Sequence, residues 1–162
     1  MKIGDDDNKL TGYRNSILTT PLEKSESVCG KVADRFENDL LEADIFPAGY
    51  FEFIVELLSS EQFYPKPGIW NFLLVLSTEK QKLLATHYEK LAAAILSNYL
   101  NYTDSDLCLA ICDFIARNYR HSRAKELLDN LKTLELTKSG KGFADEGLWI
   151  LDREIARSQE AT

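Results

Sequence analysis

Apolar residues along this chain recur every three or four positions, which is the spacing of one face of an α-helix. The broadest such stripe runs from residue 83 to residue 99. Its positions are Leu83, Leu84, His87, Tyr88, Leu91, Ala92, Ile95, Leu96 and Tyr99. A narrower stripe, in the segment 25–41, consists of Val28, Val32, Phe36 and Leu40. The strict alternation of a β-strand is nearly absent, so the pattern predicts an all-α protein.

Helix-breaking and helix-capping residues divide these stripes into separate elements. Pro21 precedes the segment 25–41, and Pro47 suits the first turn of a third helix. Thr78 and Gln81 have the spacing of a capping box, and we expect them to open the helix that carries the broad stripe. Asp104 similarly suits the start of a later helix. Counted in this way, the chain predicts about eight helices joined mostly by short turns.

The arrangement of these helices is predicted from their pairing along the chain. The stretches 47–76 and 104–134 both have the form of a helical hairpin, and stacked hairpins of this kind build an α-solenoid. No strong sequence repeat accompanies them, so an irregular bundle stays open as the alternative arrangement. A length of 162 residues suits one domain, and we predict a single all-helical domain over residues 1–162.

Acidic residues are concentrated in the first third of the chain. The net charge is −7, and residues 1–56 contain 12 acids and 6 bases, whereas residues 57–162 contain 14 acids and 13 bases. Direct binding of nucleic acid is disfavoured, because phosphate contacts require a basic surface. A basic protein partner would suit such a surface, and a solubilising role is the alternative. Our candidate partner-binding residues are Asp34, Glu37 and Asp44, the first two projecting away from the Val28–Leu40 stripe.

Features of export and of membrane insertion are not found in the sequence. The first ten residues contain three consecutive aspartates where a signal peptide would need an apolar stretch, and the longest apolar run is too short to span a bilayer. We therefore expect a cytoplasmic protein that has no membrane partner. The odd number of cysteines (Cys29, Cys108 and Cys112) indicates reduced, packed thiols. Since there are only two histidines, we predict neither a metal site nor a cofactor.

Residue types that perform catalysis occur without the partners they would need. His87 lies on the apolar stripe, where a packed and hydrogen-bonded side chain is expected, and His121 lies in a basic turn. The segment 139–142 (SGKG) lacks the spacing of a phosphate-binding loop and follows no strand. Asp104 and Asp106 lack the glycine and terminal glutamate of a calcium loop. The sequence therefore gives no reason to expect an enzyme.

One segment brings a resemblance to known proteins. The stretch DLCLAICDFIARNYRHSRAKELLDNL resembles a HEAT-like hairpin, an apolar helix followed by a basic turn and an amphipathic helix. Together with the aromatic crowding at Tyr50-Phe51-Glu52-Phe53 and the small acidic format, residues 45–135 resemble the all-helical immunity proteins of bacterial toxin systems, including contact-dependent growth inhibition.

The resemblance implies a function and leaves an alternative open. It implies a cytoplasmic immunity protein that binds one cognate toxin, often a basic nuclease, and occludes the active site of that toxin. The alternative is a solenoid-like adaptor or scaffold in a larger cytoplasmic complex.

Overall fold

The computed structural model describes residues 3–138 and 142–160 of the chain. Within these ranges it contains eight α-helices and no β-strand, which confirms the all-α prediction. The helices are α1 (Ile3–Thr19), α2 (Leu22–Asp39), α3 (Ala48–Ser59), α4 (Asn71–Thr78), α5 (Ala85–Asn98), α6 (Ser105–Asn118), α7 (His121–Lys138) and α8 (Phe143–Glu160). Short 3-10 turns occupy Lys80–Lys82 and Tyr99–Asn101. No helix in the described ranges is long and apolar enough to cross a membrane.

Helices pack mainly against helices one or two steps away along the chain. Helix α8 contacts α6 and α7, α3 contacts α5 and α1, and α4 contacts α2 and α6. This packing is consistent with a helical array, and the HEAT-like solenoid form of that array stays a prediction. The predicted hairpin of residues 104–134 corresponds to the contacting pair α6 and α7.

The predicted hairpin of residues 47–76 is not formed by α3 and α4. These helices find their main partners elsewhere, and the turns of residues 60–70 separate them. This segment lies against α2, where the Ser25 hydroxyl donates to the Pro67 carbonyl at 2.9 Å. Gly68 has φ +101°, and a Cβ there would lie 2.7 Å from the Glu26 Cα atom. Glycine therefore lets this segment approach α2 closely, and the α4 helix that follows it has its main contacts with α2 and α6.

Buried apolar side chains form one cluster that extends from Leu10 in α1 to Leu151 in α8. Phe36 of the α2 stripe lies in its N-terminal part, with ring centroids 4.9 Å from Tyr50, 5.6 Å from Phe53 and 5.6 Å from Phe72. Such aromatic contacts add to the free energy gained by burial alone. The α2 stripe therefore faces the core, as its spacing predicts.

Two carboxylates, the half-buried Asp39 and the buried Glu135, hold helices together. Asp39 accepts hydrogen bonds from the hydroxyls of Tyr13 (2.6 Å) and Tyr50 (2.9 Å), which joins α1, α2 and α3. Glu135 of α7 accepts the Tyr99 hydroxyl at 2.8 Å and the Ala144 backbone N–H at 3.1 Å. A carboxylate at the first turn of α8 is favourable, since that end of a helix carries partial positive charge.

The predicted capping box at Thr78 and Gln81 is wrong. Thr78 is the last residue of α4, and its hydroxyl donates to the Leu74 carbonyl at 2.9 Å. Helix α5 begins later, at Ala85, where Nδ1 of His87 accepts the Leu84 N–H at 3.0 Å. A 3-10 turn at Lys80–Lys82 lies between the two helices, and Lys82 is held there by Glu79 and by the Leu40 carbonyl.

Candidate partner-binding surface

The three candidate partner-binding residues lie at the end of α2 and in the loop 40–47 that follows. Asp34 is exposed on α2, and Asp44 is exposed in the loop. Glu37 is half-buried, although the stripe pattern predicts that it projects freely. The difference arises because Glu37 lies close to the buried charges of Glu79 and Lys82, which are far from it in sequence.

A small hollow of 170 Å³ joins two of these acids to an apolar side chain. It is lined by Asp34, Glu37, Asn38 and Leu41. Leu41 is 64% exposed, and Ile45 in the following loop is 55% exposed. We call Asp34, Glu37, Leu41, Asp44 and Ile45 the acidic corner. The acidic corner therefore combines apolar contact area with negative charge.

The buried ion pair next to the acidic corner does not neutralise its negative charge. Lys82 Nζ lies 2.8 Å from Glu79 Oε2 and donates to the Leu40 carbonyl at 2.6 Å. This cation is therefore committed to its own buried ion pair. Burial raises the pKa of Glu37, repulsion from Glu79 and Asp34 raises it further, and Lys82 opposes the change. A cation brought by a partner would relieve this repulsion.

Backbone hydrogen bonds hold the acidic corner in place. The Phe46 N–H donates to the Lys82 carbonyl at 2.9 Å, and the Ala43 N–H donates to the Leu40 carbonyl at 3.0 Å. Together with the bonds from Tyr13 and Tyr50 to Asp39, they fix both ends of the loop. A surface held in this way loses little conformational entropy when a partner binds.

Other residues that the sequence singled out have structural environments. All three cysteines are free and buried, and burial raises the pKa of Cys112 to about 12. Burial, and then Lys90, lowers the pKa of His87, whose ring lies 4.4 Å from that of Phe51. Asp104 caps α6 by accepting the Asp106 N–H at 3.0 Å, as predicted.

Metal-binding and phosphate-loop candidates add no site in the part of the chain that the structure describes. No group of three or more metal-ligating side chains comes together there. Of the SGKG segment, residues 139–141 lie outside the described residues.

Comparisons with protein-family models, curated proteins and solved structures find no match to this chain. The acidic corner is therefore interpreted from its own geometry and charge.

Proposed function

We propose that this protein binds a basic protein through the acidic corner, and that this partner is the cognate toxin domain of a bacterial toxin system. In this proposal the protein is an immunity protein that occludes the active site of the toxin. The observation that carries it is the exposure of Leu41 and Ile45 beside Asp34, Glu37 and Asp44.

The chemistry of a nuclease toxin suits this surface. A nuclease must attract phosphates, so its active site is lined by basic side chains. Acidic side chains on an immunity protein are attracted by the same basic surface, which steers the association of the two proteins. Once the two proteins meet, burial of Leu41 and Ile45 supplies the apolar contact that slows dissociation. Occlusion then needs no catalytic group on the immunity protein.

We expect the double substitution Asp34→Lys and Glu37→Lys to weaken binding of the proposed cognate toxin domain. Reversal of two charges should lower the affinity by about 10- to 100-fold at low salt, mainly through slower association. The difference should shrink at high salt, where exposed charges are screened. Titrations at two ionic strengths measure both effects, and growth of cells that express the toxin reports protection.

A control variant separates local charge from net charge. Glu61→Lys with Asp152→Lys makes the same change in net charge at two exposed acids outside the acidic corner. We expect this variant to bind and protect almost as well as the unchanged protein. Equal loss in both variants, or none in either, would remove the acidic corner from the interface. Tight binding to a basic protein without toxic activity would instead favour the adaptor function.

A further inference from the structure

A second concave surface lies between the start of α5 and the turn that joins α6 to α7. We call it the α5–α7 cleft. Its volume is about 630 Å³, within the range of roughly 300–1,000 Å³ that is typical of small-molecule sites. Tyr88 and Tyr119 contribute aromatic surface, with ring centroids 5.0 Å apart in an edge-to-face arrangement. The cleft therefore has the size and the aromatic wall to bind a small planar molecule.

Several polar groups of the cleft are already committed to the fold. The Tyr119 hydroxyl donates to the Tyr88 carbonyl at 2.7 Å. Arg123 donates to both carboxylate oxygens of Glu89, from Nε at 3.1 Å and from Nη2 at 2.8 Å. Glu89 is the one acid of the lining, and Arg123 pairs both with it and with Glu126, which lies outside the lining.

The remaining polar side chains include an unneutralised cation. Within the described residues, the Arg120 guanidinium, the Ser122 hydroxyl and the Tyr88 hydroxyl have no hydrogen-bond or ion-pair partner. Burial raises the pKa of Tyr88, so its hydroxyl stays protonated and can donate. The first turn of α7 adds to this field, because its N–H groups carry partial positive charge. A negatively charged ligand that is rich in acceptors would satisfy these donors.

We propose that the α5–α7 cleft binds a small organic phosphate with a planar body. The phosphate contacts Arg120 and Ser122, and the planar body lies against Tyr88. A phosphate offers three strong acceptor oxygens to these donors, whereas a carboxylate offers two. The residues that line the cleft include none of the acidic corner, so this proposal does not rest on the proposed toxin-binding surface.

Titration with four small probes tests the proposal. Phenyl phosphate should bind saturably at concentrations below about 10 mM, and benzoate, inorganic phosphate and benzyl alcohol should each bind more weakly. Chemical-shift changes in nuclear magnetic resonance spectra should be confined to residues around Tyr88 and 118–123. Arg120→Gln should weaken phenyl phosphate by about tenfold or more, and Tyr88→Phe should weaken it by several-fold.

The matched control is Arg153→Gln, an exposed arginine on α8 that lies over the ring of Trp149. It removes the same charge outside the cleft, and we expect unchanged affinity. No saturable binding, or equal loss in both arginine variants, would overturn the site. Benzoate or benzyl alcohol binding as tightly as phenyl phosphate would overturn the choice of a phosphate. Inorganic phosphate binding as tightly as phenyl phosphate would overturn the claim that the ligand has a planar body. A phosphopeptide that binds where phenyl phosphate does not would instead indicate a protein ligand.

Discussion

Glu37 illustrates how one half-buried acid can be held at a cost to the fold. Burial and repulsion from Glu79 and Asp34 raise its pKa, so the folded state binds a proton there more tightly than the unfolded state does. Ionised Glu37 therefore lowers the free energy of unfolding at pH values above its folded pKa. The penalty disappears as the pH falls through the folded pKa towards the unfolded value.

We expect Glu37→Gln to increase the free energy of unfolding at pH 7, since the substitution removes the ionised form. The gain should shrink as the pH falls and should vanish below about pH 4, where the unfolded acid is also protonated. Urea unfolding across this pH range measures the difference. Asp44→Asn is the matched control, at an exposed position where little change is expected. A gain that grows towards low pH would contradict the interpretation.

At the scale of single residues, the sequence predicts exposure better than it predicts partners. Asp34 is exposed as its place opposite the α2 stripe predicts. The half-burial of Glu37 could not be predicted, because it depends on Glu79 and Lys82 more than 40 positions away. The role of Glu135 could not be predicted either, because its carboxylate gains the Ala144 N–H as a partner only when α8 packs against α7.

At the scale of helices, α8 depends on close contact at Gly147. A Cβ atom at this position would lie 2.7 Å from the Leu128 Cδ2 atom of α7, 3.0 Å from Cys112 Cβ and 3.1 Å from the Cys112 carbonyl oxygen of α6. The Leu128 side chain can move, but the backbone of α6 cannot move without shifting its own contacts. Glycine is therefore required for α8 to lie this close to both neighbours.

We expect Gly147→Ala to lower the free energy of unfolding by about 1–3 kcal/mol, because the added methyl group separates α8 from α6 and α7. Gly12→Ala is the matched control, since a Cβ there meets no atom within 4 Å. That variant should gain up to about 1 kcal/mol from the better helix propensity of alanine. Urea unfolding of both variants measures the contrast. Equal gains would show that α8 is packed more loosely than its geometry indicates.

Helix boundaries follow from the sequence where local signals are not opposed by distant contacts. Asp104 caps α6 as expected because its carboxylate is free to accept the Asp106 N–H. Thr78 has equally good local chemistry, yet its hydroxyl bonds back into α4. The difference lies in Lys82, which is held by the Leu40 carbonyl and by Glu79. Tertiary contact overrides local preference there.

At the scale of the whole molecule, the periodicity predicts the helix content but not the packing order. The stripes of α2 and α5 each specify a buried face, and both reach the core with Phe36 and Leu91. Close approaches between distant segments, such as that of residues 60–70 to α2 at Gly68, are not visible in the periodicity. The charge asymmetry is likewise visible in the sequence, whereas the α5–α7 cleft requires two elements that are distant in the chain.

The reactivity of the buried cysteine thiols can measure local opening of the folded protein. Cys29 of α2 is buried where Gly68 packs against it, and Cys112 of α6 is buried where Gly147 packs against it. A thiol reagent can reach either one only after the neighbouring elements have separated, so each labelling rate measures a local opening. We expect Gly147→Ala to accelerate labelling of Cys112 and to leave the labelling rate of Cys29 unchanged. Mass spectrometry of the intact and digested protein measures both rates. Acceleration of both by the same factor would mean that the array opens as one unit. Two independent rates would mean that the regions around α2 and α6 open separately, so that one can open locally while the other stays folded.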